Sequence, residues 1–162
     1  MRIKALAGIC LAVLANGAFA QLRADDPDWK ETDEPPAPAF SANRLIPVDM
    51  PAHVTLQFGV DPATLTLTKD GVVRYVMVAS SPGGATNAMY EGIRCATGEY
   101  RTYARASASG PWRANAYTAW SPLDRSASSR PALSLAQQGV CNGRSVTGNS
   151  VQAIVRALNG QR

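Results

Sequence analysis

The chain has 162 residues, of which 46% are hydrophobic and 17% are charged. This composition predicts one globular domain with a single core and excludes an intrinsically disordered chain. The formal net charge of +4 is unevenly distributed, because residues 21–44 carry six acids against three bases while residues 45–162 carry eleven bases against six acids. The sequence therefore combines an acidic N-terminal segment with a basic domain.

The N-terminal end of the chain has the features of a secretory signal peptide. Two basic residues precede the apolar stretch 5–15, and the small residues Ala18 and Ala20 favour cleavage after position 20. This stretch is shorter than the roughly 20 residues that span a bilayer, and the mature chain offers no second candidate. We therefore predict signal peptide 1–20, export to the periplasm and no transmembrane segment. Lipid attachment at Cys10 is a weaker alternative, because a large residue precedes this cysteine.

The segment that follows, residues 21–44, is rich in Asp, Glu, Pro and Ala. Its proline run favours an extended polyproline II conformation, and it has few apolar groups to bury. We predict an acidic linker or arm here, followed by one globular domain over residues 45–162. Trp29 is the candidate anchor of this arm. It either docks on the domain or remains an exposed aromatic residue of a flexible tail.

The clearest local signal is a hairpin at Asp70 and Gly71, a preferred pair for a two-residue turn. Such a turn pairs Leu67 with Arg74 across the hairpin. The second strand of the hairpin, residues 72–79, has apolar side chains on both faces. We therefore predict that this strand is central in its sheet and covered on both sides near its end, with the hairpin tip projecting towards water.

Strand and helix patterns continue on both sides of the hairpin. The other predicted strands cover residues 54–60, 87–95, 99–106 and 116–120. The predicted helices cover residues 131–138 and 151–158, the second with Asn149 as its N-cap. Because the apolar stripe of the last helix must be buried, we predict an α+β fold, an antiparallel β-meander of about five strands with the C-terminal helix packed on one face.

Removal of the signal peptide leaves two cysteines, Cys95 and Cys141. Two cysteines in an oxidising compartment favour a single disulfide. A reactive thiol is less favoured, since His53 is the only histidine that could serve as its base. One histidine and scattered carboxylates form no metal-ligand pattern, so we predict neither a metal site nor a cofactor.

Glu91 lies in the middle of a predicted strand, on the side that carries Met89 and Ile93. A carboxylate at such a position needs a partner, and the hairpin offers Arg74 for a structural ion pair. The alternative is that burial raises the pKa of Glu91 and makes it a catalytic acid or base.

Basic and aromatic side chains recur along the predicted strands, and arginine suits bidentate recognition of anions. One interpretation is a binding surface for an anionic ligand. The other is a solvated sheet face on which aromatic residues pack across strands. Export argues against nucleic acid as the partner. The candidate binding residues are Arg74, Tyr90, Glu91, Arg94, Arg101, Tyr103, Arg105 and Trp112.

The sequence resembles the cryptic neisserial protein (CNP-like) family of small exported bacterial proteins. The resemblance is carried by the motifs Asp70-Gly71-Val72-Val73-Arg74-Tyr75 and Glu91-Gly92-Ile93-Arg94-Cys95 and by the later Tyr103 and Trp112. It covers residues 45–158. The resemblance implies a periplasmic or envelope-associated location, and it implies no activity, ligand or catalytic residue.

These features predict a periplasmic, non-catalytic binding or interaction module whose partner is an envelope protein or an anionic ligand. The alternative is an enzyme that acts on an anionic or glycan envelope substrate with Glu91 as its acid or base. A deep pocket at Glu91 would favour the enzyme, and a flat sheet would favour the module. We also predict that the acids of residues 21–44 lie over the arginines of the sheet and compete with such a ligand. The other interpretation of the acidic segment is a solvated spacer.

Overall fold

The computed structural model describes residue 26 and residues 28–31, 34–107 and 110–160. The predicted signal peptide, residues 1–20, lies outside the described residues. Within the described ranges, none of the helices has both the length and the apolar character that crossing a membrane requires.

Short strands outnumber helices in this part of the chain. The strands are β1 (Ile46–Val48), β2 (Gln57–Val60), β3 (Thr66–Leu67), β4 (Val72–Ser80), β5 (Thr86–Arg94), β6 (Glu99–Ser107), β7 (Arg113–Ala114), β8 (Ser121–Pro122), β9 (Cys141–Asn142) and β10 (Ser145–Val146). The helices are α1 (Arg130–Leu135), which runs into a π-helical turn (Ala136–Val140), and α2 (Val151–Gly160). A 3-10 turn (Pro62–Thr64) precedes β3.

One antiparallel sheet of eight strands organises the domain, with the order β1-β2-β4-β5-β6-β7. Strand β3 also pairs with β4, and β8 also pairs with β6. The predicted α+β fold is confirmed, and the strand count is eight instead of about five. The strands that the sequence did not predict are β1, with three residues, and β7 and β8, with two residues each. A two-residue strand is too short to show an alternating pattern in the sequence.

The hairpin at Gly71 forms, but its predicted register is wrong by one residue. Leu67 pairs with Val73, whereas a two-residue turn would have paired it with Arg74. The amide of Thr68 donates to the carbonyl of Val72, so three residues form the loop. Gly71 has a φ of 83°, which is the left-handed conformation that closes three-residue hairpin loops.

Two other predicted elements differ from the structure. The predicted edge strand 116–120 is wrong, because the pairing with β6 is made before and after it by β7 and β8. The predicted cap of the last helix is also wrong. The hydroxyl of Ser150, and not Asn149, accepts from the amide of Ala153 at 3.2 Å.

The central strand β4 is buried on both sides, and the burial extends further than predicted, because it begins at Val72 beside the hairpin loop and includes eight of the nine residues. One side carries Tyr75 and Met77, and we call it the helix face. Leu135 of α1 and Ile154 of α2 belong to the same core cluster as these residues. The opposite side carries Val76 and Val78. We call this side the arm face, because residues of the acidic segment pack on it.

The predicted disulfide joins Cys95, directly after β5, to Cys141 at the start of β9. The two Cα atoms lie 5.7 Å apart, within the range that a disulfide spans. Because β9 follows the π-helical turn, the bond connects the sheet to the helical layer.

Candidate functional site

The described residues of the acidic arm lie along the arm face of the sheet without regular secondary structure. Trp29 lies near its beginning, with its ring centroid 3.8 Å from Cζ of Arg94 in a cation-π contact. Its indole N–H donates to the carbonyl of Asp70 at 3.0 Å. The edge of the Trp120 ring completes the contact, with the two ring centroids 5.8 Å apart. Trp29 is therefore a docked anchor and not an exposed aromatic residue.

Two residues further along the arm, Glu31 is bound by three side chains of the sheet. One carboxylate oxygen lies 3.1 Å from Nη2 of Arg74, and the other lies 2.7 Å from Nη1 of Arg101. The hydroxyl of Tyr103 donates to the oxygen that Arg74 also contacts. We call Arg74, Arg101 and Tyr103 the carboxylate clamp.

The strand register explains how the clamp forms. Arg74, Gly92 and Arg101 are direct neighbours across β4, β5 and β6, so the two arginines flank a residue without a side chain. Strand β6 has a bulge at Tyr103. Tyr90 pairs with Ala104 and Glu91 pairs with Thr102, so Tyr103 is the extra residue between them. The space above Gly92 is occupied by Tyr103, because a Cβ added at Gly92 would meet the tyrosine hydroxyl.

Two of the three clamp side chains, Arg74 and Tyr103, are buried, and Arg101 is 22% exposed. Arg74 is 3% exposed, and the side chain of Glu31 is 11% exposed. Burial, followed by the hydrogen bond to Glu31, raises the pKa of Tyr103 well above its ordinary value. The phenol therefore remains a donor. Charge-assisted hydrogen bonds of this kind are roughly twice as strong as neutral ones.

A second acid of the arm lies beside the clamp. Glu34 Oε2 is 3.7 Å from Nη2 of Arg101. Burial raises the pKa of Glu34, and the positive charge of Arg101 opposes that shift. The side chain of Glu34 is 34% exposed, three times the exposure of Glu31. Glu34 therefore contributes less to docking than Glu31 does.

The later part of the arm covers the apolar portion of the same face. The indole N–H of Trp112 donates to the carbonyl of Pro38 at 3.1 Å. The ring of Phe40 packs edge-on against Trp112, with centroids 5.6 Å apart. The amide of Ser41 donates to the carboxylate of Asp61 at 2.7 Å. The arm thus changes from charged contacts near Glu31 to apolar contacts near Phe40.

The arm is held from one side only. Every described residue between 26 and 44 is partly or fully exposed, and none is buried. By contrast, the sheet residues Arg74, Tyr90 and Tyr103 beneath it are at most 3% exposed. A segment with few buried contacts opens at a lower free energy than the core does.

The structure brings together six of the eight candidate binding residues. These six lie on the arm face and are Arg74, Tyr90, Arg94, Arg101, Tyr103 and Trp112. Glu91 and Arg105 lie on the helix face, because they pair with Tyr75 and with Met89. Six of the candidates therefore form a cluster on the arm face, and the other two lie on the opposite side of the sheet.

The ion pair predicted between Glu91 and Arg74 is wrong. Arg74 pairs with Gly92 and Glu91 pairs with Tyr75, so adjacent strand positions direct the two side chains to opposite faces. The carboxylate of Glu91 accepts from Tyr75 Oη at 3.1 Å and from Thr102 Oγ1 at 3.0 Å.

Glu91 is a fully buried carboxyl group whose hydrogen-bond partners are neutral hydroxyls. Burial raises its pKa to about 7, while the hydrogen bonds from Thr102 and Tyr75 and the charge of Arg105 oppose the rise. A cavity of about 250 Å³ nearby is lined by Thr102 and Arg105 but not by Glu91. Among the described residues, Glu91 lines none of the four cavities found.

The chain matches the model of a known protein family. The model of the CNP1-like family matches residues 24–159. The chain belongs to the CNP1-like family. Comparison with curated proteins and with solved structures finds no match. The match begins at residue 24 and not at residue 45, so the CNP1-like region includes the docked arm as well as the sheet and helices.

Two residues that build this site were not among the sequence-based candidates, Glu31 and Gly92. Glu31 is one of six acids in residues 21–44, and nothing in the local pattern distinguishes it from the others. Gly92 gave a usable signal, since an isolated glycine within a strand indicates a bulge or a close approach. Both features are present here, with the bulge on the neighbouring strand.

We expect Gly92→Ala to lower the free energy of unfolding by about 1 to 3 kcal/mol. The new Cβ would meet Tyr103 and would lie 2.9 Å from Cγ1 of Val72. Displacement of Tyr103 also removes a donor to Glu31, so proteases should cut the arm faster. Urea denaturation and limited proteolysis measure the two effects.

Gly83→Ala is the matched control for this substitution. Its Cβ would lie 3.9 Å from the nearest atom, Ser81 Oγ, so the free energy of unfolding should change by less than about 0.5 kcal/mol. Equal stability of Gly92→Ala and Gly83→Ala would show that Tyr103 does not depend on the space above Gly92.

Proposed function

We propose that this protein is a non-catalytic binding module of the cell envelope, and that its arm face binds an acidic, extended segment of a partner protein. The observation that carries the proposal is the carboxylate clamp, in which two arginines and a tyrosine bind Glu31. Two arginines on one sheet face, Arg74 buried and Arg101 22% exposed, suit carboxylate recognition, since the guanidinium group matches the geometry of a carboxylate.

The arm itself supports a polypeptide as the ligand. It is a segment without regular secondary structure that provides an aromatic ring to Arg94, a carboxylate to the clamp and a second ring to Trp112. In this proposal, these three contacts indicate the side chains that a ligand of the arm face needs. A partner segment with an aromatic residue, an acid two positions later and a following apolar residue would make the same contacts.

In this proposal the arm competes with the partner. Because it is tethered, the arm has a high effective concentration at the clamp, and a partner must displace it. The incomplete burial of the arm keeps the free energy of displacement low. The acidic arm and the basic domain also attract each other at long range, with net charges of −3 and +5 from the residue counts above.

The periplasmic location is part of the proposal. It is supported by the signal peptide features of residues 1–20 and by the disulfide between Cys95 and Cys141, a bond that persists in oxidising compartments.

An enzyme with Glu91 as its acid or base has less support. A catalytic acid must come within hydrogen-bond distance of its substrate. Glu91 is 3% exposed, and its two oxygens are occupied by Tyr75 and Thr102. Its raised pKa follows from burial and needs no catalytic role.

The test measures binding of a labelled peptide with the sequence of residues 26–44 to the exported protein. We expect Glu31→Gln in the protein to increase the affinity for the peptide roughly tenfold, because the tethered competitor loses its charge-assisted contacts. Glu34→Gln is the matched control, since Glu34 is more exposed and lies 3.7 Å from Arg101. It should change the affinity by no more than about twofold.

The same substitution placed in the peptide tests the ligand chemistry. A peptide with Gln at the position of Glu31 should bind roughly tenfold more weakly to the Glu31→Gln protein. Equal binding of the two peptides would contradict carboxylate recognition by the arm face. Equal peptide affinity of wild type and Glu31→Gln would contradict competition by the arm.

A further inference from the structure

The helix face has an open groove at the end of the sheet that α1 and α2 leave uncovered. It encloses about 710 Å³, within the range of small-molecule sites. Its floor is formed by Phe58, Ala79 and Met89 from the adjacent strands β2, β4 and β5. A second cavity of about 250 Å³ adjoins it and shares Arg105 with it.

Two arginines lie at the side of this groove in an unfavourable arrangement. Arg105 of β6 and Arg113 of β7 are direct cross-strand partners, and both are exposed and line the groove. Like charges that oppose each other across a sheet are destabilising. Within residues 26, 28–31, 34–107 and 110–160, neither arginine has a carboxylate within salt-bridge distance.

The nearest acid does not neutralise this pair. Glu91 interacts electrostatically with Arg105 but is sealed beneath Thr102 and is only partly ionised at neutral pH. The guanidinium of Arg105 makes one long contact, 3.5 Å to Thr102 Oγ1. An anion between Arg105 and Arg113 would remove the repulsion and would have two fork-shaped donors.

Exposed apolar side chains also lie around the groove and its adjoining cavity. Among the described residues, the large hydrophobic side chains that are exposed are Leu56, at 40%, and Tyr117, at 65%. Leu56 lines the groove and Tyr117 lines the adjoining cavity, so they lie on either side of Arg105. An exposed apolar surface beside an unpaired cationic pair indicates a ligand with both properties.

We propose that this groove binds a fatty acid, with its carboxylate between Arg105 and Arg113 and its hydrocarbon chain over Leu56, Phe58 and Met89. A carboxylate is the smallest anionic head group that matches the arginine fork. The apolar floor and rim would remove the chain from water. This site lies on the opposite face from the carboxylate clamp, so it is independent of the function proposed above.

The experiment titrates dodecanoate, below its micelle concentration, into the exported protein by calorimetry. We expect saturable binding at one site. Dodecanol, which has the chain without the charge, and acetate, which has the charge without the chain, should each bind at least about tenfold more weakly. Equal binding of dodecanol or acetate, or no saturable binding of dodecanoate, would overturn the proposal. Dodecyl phosphate that binds as tightly as dodecanoate would overturn the assignment to a fatty acid.

Substitutions locate the site. Arg105→Gln and Arg113→Gln should each weaken dodecanoate binding roughly tenfold, and Leu56→Asn should weaken it several-fold. Arg156→Gln, on the exposed side of α2, is the matched control and should leave the affinity unchanged. Both groove arginines are exposed, and each substitution relieves the repulsion between them, so thermal unfolding of the variants should occur at or slightly above the wild-type temperature.

Two experimental results distinguish the proposed fatty-acid site from the proposed peptide site on the arm face. Glu31→Gln should leave dodecanoate affinity unchanged, whereas it changes peptide affinity if the arm competes. Dodecanoate affinity that is unchanged in both Arg105→Gln and Arg113→Gln would overturn the groove assignment and leave the arm-face proposal standing.

Discussion

Loss of the disulfide should lower the free energy of unfolding by about 4 kcal/mol in the variant Cys95→Ala/Cys141→Ala. The bond closes a segment with a sequence separation of 46 residues, which restricts the unfolded chain. It also connects the end of β5 to the strand that follows the helical layer, so its loss frees two layers from each other. A loss of this size is a large part of the total stability of a small domain.

Urea denaturation of the double variant and of wild type measures this effect. The single variants Cys95→Ala and Cys141→Ala are the matched controls, because either substitution breaks the bond and should have nearly the same cost. Thiol labelling of wild type that is expressed with residues 1–20 and purified without reductant should find both cysteines protected. Two reactive thiols in that sample, or a loss below about 1 kcal/mol, would contradict the prediction.

The core of the fold could be predicted from the sequence because its signals are local. The apolar run of β4, the alternation in β5 and the amphipathic stripe of α2 each fall within one element. The position of the hairpin could also be predicted from a local signal, the Asp-Gly pair, but its register could not. The choice between a two-residue and a three-residue loop depends on backbone angles at Gly71, and Asp-Gly is compatible with both.

The site was less predictable because it depends on contacts between distant residues. The two arginines and the tyrosine of the clamp were among the candidates, since their residue types suit anion binding. Their common ligand, Glu31, lies 43 residues before Arg74 and 70 before Arg101. The face predicted for Glu91, with Met89 and Ile93, was right, but its predicted partner was wrong. Arg74 pairs with Gly92, one position further along β5, so its side chain lies on the opposite face.

Raising the pH from 4.5 to 8.5 should destabilise wild type by about 3 kcal/mol relative to Glu91→Gln. Burial raises the pKa of Glu91 in the folded protein from 4.5 to about 7. Between these two values the folded state holds one more proton than the unfolded state. Unfolding then releases a proton, so stability falls as the pH rises through this window. Below pH 4.5 both states are protonated, and above the folded pKa both are ionised, so the difference is constant outside the window.

Urea denaturation of both proteins across this pH range gives the result as a difference, which cancels the other titrating groups that the two proteins share. Gln is neutral and nearly isosteric, and Tyr75 and Thr102 remain as its partners, so the packing around position 91 changes little. Glu99→Gln, at a partly exposed carboxylate on β6, is the matched control and should retain the wild-type pH dependence. If the wild-type and Glu91→Gln curves run parallel from pH 4.5 to 8.5, the carboxyl of Glu91 titrates in the folded protein as it does in the unfolded chain and is ionised at neutral pH. A buried anion would then have to be stabilised there by Tyr75, Thr102 and the more distant Arg105, against the cost of its desolvation.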